Sequence, residues 1–218
     1  MRLIHKINID KKVELFYDHY KDTFENQKLY LKKRNYLTII LLLFIATFAF
    51  QISNPQQTTK LSSVIIKKNV GDIEINFDYI NNILLFGLFW VVLMYYQTNI
   101  HIEKTYKYLH KIEEQLTKNI LPFDICREGK MYLNNYPKLF TFAHYIYTII
   151  FPLTLIVVII IKWCKDLTYL HYNYMNGHLI FNTIFILGII SLTVLYLIDR
   201  HLETIKIFIK IKIFKGRI

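Results

Sequence analysis

The sequence predicts an all-α membrane protein: four transmembrane helices, cytoplasmic helical extensions and one short extracytoplasmic β-hairpin loop. Three observations predict it. Uncharged apolar stretches at 36–53, 79–97, 142–161 and 178–198 each match the length of a helix crossing a ~30 Å hydrocarbon core. Hydrophobic residues, 54% of the 218, are segregated into these blocks, and Leu37 to Phe50 carries no charge at all. Lys and Arg crowd alternate intervening segments: nine, seven and six in 1–35, 98–141 and 199–218, against three in 54–78 and two in 162–177. Positive residues are retained on the cytoplasmic side, so both termini and the middle segment are expected there, in a cell inner (plasma) membrane. The whole, 1–218, reads as one four-span domain.

Residues 1–35 carry Val13, Phe16, Tyr17, Tyr20, Phe24 and Leu31 at helical spacing, with Asp10 as the expected N-cap. This amphipathic helix either lies on the membrane surface or, the favoured reading, packs against the other cytoplasmic helix. Span 1 follows too far along the chain for a cleavable signal peptide, and Phe48 to Gln51 offers no small-residue cleavage site, so an uncleaved anchor is expected. Pro55 ends it. In the 54–78 loop, Ile73 to Phe77 alternates apolar and polar, Asn69 and Gly71 supply a turn, and Ser63 to Lys68 supplies the opposing strand of the expected hairpin.

The helical pattern of span 2 continues beyond its apolar block. Ile102, Tyr106, Leu109, Ile112 and Leu116 form a stripe, with Glu103 and Lys107, then Glu114 and Lys118, one turn apart. A helix reaching about Lys118 is expected. Its stripe needs a partner, either the N-terminal helix or a copy of itself. Leu121-Pro122 breaks it, and the connector to 141 carries a charged turn, Arg127 to Lys130. After spans 3 and 4 the tail alternates Ile and Phe with Lys from Lys206 to Lys215, which fits a strand or a continued helix equally.

No Gly-rich phosphate loop, zinc-spaced Cys pair, His-Glu-x-x-His helix or Gly-x-Ser-x-Gly elbow is present, so the expectation is no enzyme, no metal and no cofactor. Cys126 and Cys164 fall on opposite predicted faces and are not expected to pair. No ionisable residue falls at a span centre, which argues against ion-coupled transport. Polar residues gather instead at the span ends. Arg34, His101, Glu103, His144, Asp199 and Arg200 form a candidate cytoplasmic cluster, in which histidine would confer sensitivity near neutral pH. Gln51, Asn81, Asn82, His178 and Asn182 mark the opposite ends and read as interfacial decoration. Pro152 is expected to kink span 3 and free the carbonyl of Thr148.

The net charge of +11 follows from topology and from anionic lipid head groups, and leaves nucleic acid disfavoured as a partner. The expected function is that of a non-enzymatic, homo-oligomeric membrane effector or pore-type component. The alternatives are a sensor or scaffold whose basic cytoplasmic helices bind a soluble protein and, last, an intramembrane enzyme acting on lipid or peptide. The plan of spans, hairpin loop and cytoplasmic helix resembles small multi-span accessory proteins of prokaryotic antiviral defence systems. That resemblance implies a conditionally active bacterial membrane effector and carries no residue roles.

Overall fold

A computed structural model describes residues 2–70, 77–119, 138–170 and 177–215. Among these the backbone is helical throughout: α1 (Arg2–Ser53), α2 (Pro55–Val70), α3 (Phe77–Asn119), α4 (Lys138–Tyr145), a π-helical turn (Ile146–Ile150), α5 (Phe151–Leu170) and α6 (Gly177–Lys215). Four helical stretches are long and apolar enough to cross a membrane: Val13–Ser53, Tyr79–Gln115, Phe142–Thr168 and Gly177–Arg200. The chain is a four-span integral membrane protein. Three of its helices far exceed a single crossing. The 52 residues of α1 measure about 78 Å, and the 43 of α3 about 64 Å, at 1.5 Å per residue.

The expected β-hairpin is not formed. Ser63 to Lys68, read as its first strand, lies inside α2, and Asn69 and Val70 end that helix. Residues 71–76, with Gly71 and most of the second strand, fall outside the described residues, and Phe77 opens α3. The reason is local. Pro55 occupies the first helical position, where its missing N–H costs nothing and its fixed φ suits a helix. Thr58 donates its amide to the Asn54 carbonyl at 3.0 Å, and the hydroxyls of Thr59 and Ser63 donate to the carbonyls of Pro55 and Lys60. A hairpin of two short strands has no such internal support.

Two other boundaries differ from expectation. α1 is already helical at Arg2, so Asp10 is not an N-cap. α5 continues through Lys162 to Leu170, where an outer loop was expected, and α6 carries the tail as helix to Lys215. The connector 120–137, with Cys126, lies outside the described residues, and Cys164 is an exposed free thiol.

The chain divides into two compact units. The first comprises 1–37 and 97–145, and the second 38–96 and 146–218. Both α1 and α3 pass through each without a break.

In the first unit α1 and α3 run antiparallel. Gln27 donates its amide to the Ile102 carbonyl at 3.3 Å, Tyr20 donates to Glu113 Oε1 at 2.8 Å, and His19 bonds the Tyr108 hydroxyl at 2.7 Å. Ile102, Leu109 and Ile112 are buried between them.

In the second unit α3 and α6 run parallel, as spans separated by two crossings must. Asn82 meets His178, Phe89 packs on Phe185, and Tyr96 reaches Thr193. α1 and α5 are likewise parallel, with Lys162 over Phe48 and Lys165 donating to the Ile52 carbonyl at the end of α1. The interior is filled by Leu41, Phe48, Leu85, Leu88, Val92, Leu155, Ile159, Ile186 and Ile189, all at most 1% exposed. Along α3 the buried positions 85, 88, 92 and 95 recur at alternate steps of three and four, the spacing of left-handed helical bundles. Phe86, Trp90, Leu153, Val157, Ile184 and Leu195 point outward, as lipid-facing side chains do. Gly188 admits the Phe89 ring: a Cβ there would lie 3.0 Å from Phe89 Cε2.

Candidate functional site

The polar residues singled out from sequence fall in both units. In the first, the exposed His101 ring packs on Tyr30 at a 36° tilt with centroids 3.9 Å apart, Arg34 and Glu103 are half-buried, and His144 is exposed beside Tyr145. In the second, Asp199 is exposed, and Arg200 Nη1 donates to the Tyr196 hydroxyl at 3.1 Å. The candidate assembly stripe has its partner within the chain. Ile102, Leu109 and Ile112 are covered in the first unit, Tyr106 is half-exposed, and the Leu116 side chain lies outside the described residues.

Pro152 does interrupt the helix of span 3, by a different route from a simple kink. In an α register its missing N–H would orphan the Thr148 carbonyl. The turn Ile146–Ile150 is π-helical, which pairs each carbonyl with the fifth residue on. That shift moves the vacancy back one residue, to Tyr147, whose carbonyl accepts the Tyr95 hydroxyl at 2.7 Å. α3 thus supplies from outside the bond that proline removes. Tyr95→Phe should lower the unfolding midpoint in detergent, corresponding to about 1 kcal/mol, the scale of interhelical hydrogen bonds in membranes. A midpoint equal to that of the unaltered protein would show that the Tyr147 carbonyl finds another donor.

One helical turn of α6 builds a second polar contact. Tyr96 donates to Thr193 Oγ1 at 2.9 Å, and Thr193 donates to the Ile189 carbonyl at 2.7 Å. The Tyr96 and Tyr196 rings stack at 4.3 Å, nearly parallel at 11°. Every hydroxyl in this group therefore has a partner, as a low-dielectric interior requires.

At the other end of the same unit lies a cluster that sequence reading missed. Lys162, only 5% exposed, sets its ammonium 3.2 Å from Asp166 Oδ2 and 5.5 Å from the centre of the Phe48 ring. The signal was available, since Asp166 stands one helical turn beyond Lys162. In the outer loop expected over 162–177 that spacing carries no meaning.

Of the residues read as interfacial decoration, Asn81 and Asn182 are buried in this unit, and Gln51, Asn82 and His178 are half-buried. Asn82 donates its amide to His178 Nδ1 at 2.9 Å, while Tyr79 meets the same ring edge-on at 4.5 Å. Asn81 and Asn182 are 6% and 7% exposed. The side-chain oxygens of Gln51, Asn81, Asn82 and Asn182, and the indole N–H of Trp163, are closed off from solvent without a hydrogen-bond partner. Among the described residues no three His, Cys, Asp or Glu side chains come together as metal ligands.

No family model, no curated protein and no solved structure matches the chain.

Proposed function

We propose that the protein is a non-enzymatic membrane anchor that presents a helical hairpin to the cytoplasm, where it acts as a sensor or scaffold for a soluble acidic partner. The observation that carries this reading is the fate of the 102–116 stripe. Its buried members are covered by the chain's own α1, which gives the hairpin a seam within one copy and leaves lysines on its outer faces. Lys28, Lys32, Lys33, Lys104, Lys107 and Lys111 are all exposed on it, close in sequence to the span ends. Those nearest the bilayer engage anionic head groups, worth about 1 kcal/mol each, and those further out remain for a protein. The surplus of Lys and Arg on these segments supports a cytoplasmic location for both termini.

The test is co-purification from the native cell, comparing the unaltered chain with the triple variant Lys104→Glu, Lys107→Glu and Lys111→Glu. Loss of a stoichiometric partner in the variant is the expected result. Equal capture by both removes this surface from consideration.

A second reading, an oligomeric membrane effector of the kind the architecture resembles, draws support from a separate observation. Passive anchors have no need of buried Lys, Asn and Thr side chains, which are costly in a membrane interior, yet the second unit holds Lys162, Asn81, Asn182 and Thr193. Its filled interior leaves any water path to be built between copies. Sizing in detergent separates the two readings. A protein mass near 26.3 kDa accords with the anchor, whereas a multiple of it with ion leak from reconstituted liposomes supports the effector.

A further inference from the structure

We infer that the lysine row on the outer side of α3 is a docking surface for the acidic row on the outer side of α1 in a second copy of this chain. Both rows follow from helix geometry. Gln27 and Tyr20 turn inward to the seam, where they bond the Ile102 carbonyl and Glu113. Asp18 stands about two and a half turns from Gln27, on the opposite side of α1. Asp22, Glu25 and Leu29 continue its row at steps of four, three and four residues. All four are exposed, Leu29 by 64%. On α3, Leu109 is buried in the seam, so Lys107 and Lys111, two residues to either side, fall on the outer side. Ile100, Lys104, Lys107 and Lys111 form a row there at the same steps of four, three and four. The lysines are exposed and Ile100 is half-buried.

The two rows match in height. Within a hairpin Tyr30 meets His101, Gln27 meets Ile102 and His19 meets Tyr108. Counted from Gln27 and Ile102, Leu29 is level with Ile100, Glu25 with Lys104, Asp22 with Lys107 and Asp18 with Lys111. Identical copies that cross one membrane in one direction carry identical residues at identical heights. The α1 helix of one copy therefore meets α3 of the next with three carboxylates facing three ammonium groups, and with an apolar pair at the end nearest the spans. Alternate steps of three and four are those by which helices interlock side by side. The rows are opposite in charge, equal in length and carried by one chain, which makes a second copy the occupant they fit. They lie on opposite sides of the hairpin, so the contact is heterologous and repeats from copy to copy. Lys21 and Lys28 flank the acidic row, Glu103 flanks the basic one, and Glu114 stands one turn beyond Lys111, so the complementary charge is confined to the level pairs. Exposed ion pairs are individually weak, and confinement of the copies to one plane raises their effective concentration.

The inference rests on the proposed function for its lysine face and gives that face an occupant: the neighbour's carboxylates and a soluble acidic partner compete for Lys104, Lys107 and Lys111. Its test contains no other protein, so it succeeds or fails apart from co-purification in the native cell. Full chains with a donor or an acceptor fluorescent protein at the C terminus are reconstituted together in phosphatidylcholine liposomes, whose head groups carry no net charge to engage the lysines. Energy transfer between copies is expected, and it should fall at least threefold in about 1 M salt, where the screening length is about 3 Å. Reversing one row in every copy should have the same effect, by Asp18→Lys, Asp22→Lys and Glu25→Lys or by Lys104→Glu, Lys107→Glu and Lys111→Glu. Mixing the two variants, donor on one and acceptor on the other, should restore transfer, since each then meets opposite charge. That recovery also shows both variants to be folded. A chain carrying all six reversals should recover as well. No transfer between unaltered copies overturns the inference and leaves the lysines to the soluble partner. So does transfer indifferent to either reversal, or a mixture that transfers no better than its parts.

Discussion

Asp166→Ala should be among the most damaging single changes in the membrane-spanning unit, while Lys162→Met should be nearly silent. The asymmetry follows from burial. Lys162 carries its charge with a side chain only 7% exposed, against 25% for Asp166. Taking away the carboxylate leaves a buried ammonium facing the Phe48 ring, which compensates only a small part of its lost hydration. Breaking a buried pair from one side costs about 3 kcal/mol, or roughly 9 °C in midpoint for a chain of this size. Taking away the ammonium instead leaves Asp166 with access to water, and methionine refills the volume beside Phe48. That change should cost less than about 1 kcal/mol. The double variant should return close to the Lys162→Met value, because the lost charge no longer needs a partner. Thermal unfolding of the four proteins in one detergent checks this, and equal losses in the two single variants would refute the account.

The four crossings were legible in the sequence because their signal is length without charge, which needs no knowledge of which face is buried. The face itself was hidden by the same property. Leu85, Leu88 and Val92 are buried while Phe86 and Trp90 face outward, yet all five are apolar, so no contrast marks the period. Beyond the bilayer the contrast returns, and the stripe at Ile102, Leu109 and Ile112 was readable because Lys and Glu separate its members. The segment 63–70 misled through its β-branched residues: Val64, Ile65 and Ile66 suit a strand, but Pro55 and the hydroxyl contacts of Thr59 and Ser63 serve a helix. The burial of Asn81 and Asn182 was hidden for a different reason. Both stand where interfacial residues stand in any spanning helix, and only the packing of the helices around them buries them.

The polar contacts of the membrane unit share a logic that a hydropathy profile cannot display. Lipid offers no competing hydrogen bonds, so a polar atom placed inside gains from an answer on a neighbouring helix. Tyr95 answers the carbonyl vacated by Pro152, Thr193 answers Tyr96, and Lys165 answers the last turn of α1. Each contact joins two spans distant in sequence or closes a turn within one. They fix which faces meet in a medium where apolar burial alone gives helices little reason to choose.

Leu109→Ala should loosen the hairpin without dissolving the spans. Leu109 is 1% exposed at the centre of the contact between α3 and α1, flanked by Ile102 and Ile112 and bracketed by the Gln27 and Tyr20 hydrogen bonds. Truncating a buried leucine costs about 2–4 kcal/mol through lost transfer energy and the cavity left behind. A pair of helices held by so few buried side chains has little stability to spare, so the loss should appear as local opening. Hydrogen exchange measured by mass spectrometry is expected to accelerate at least tenfold in 13–30 and 102–115 and to stay unchanged in 83–96 and 182–196. Tyr106→Ala, at a half-exposed position on the same stripe, should shift exchange far less. The opposite pattern, with protection in 102–115 intact and the assembly falling to a smaller mass, would mean that the stripe joins copies. The hairpin's apolar seam would then belong to the oligomer, and the effector reading would replace the anchor.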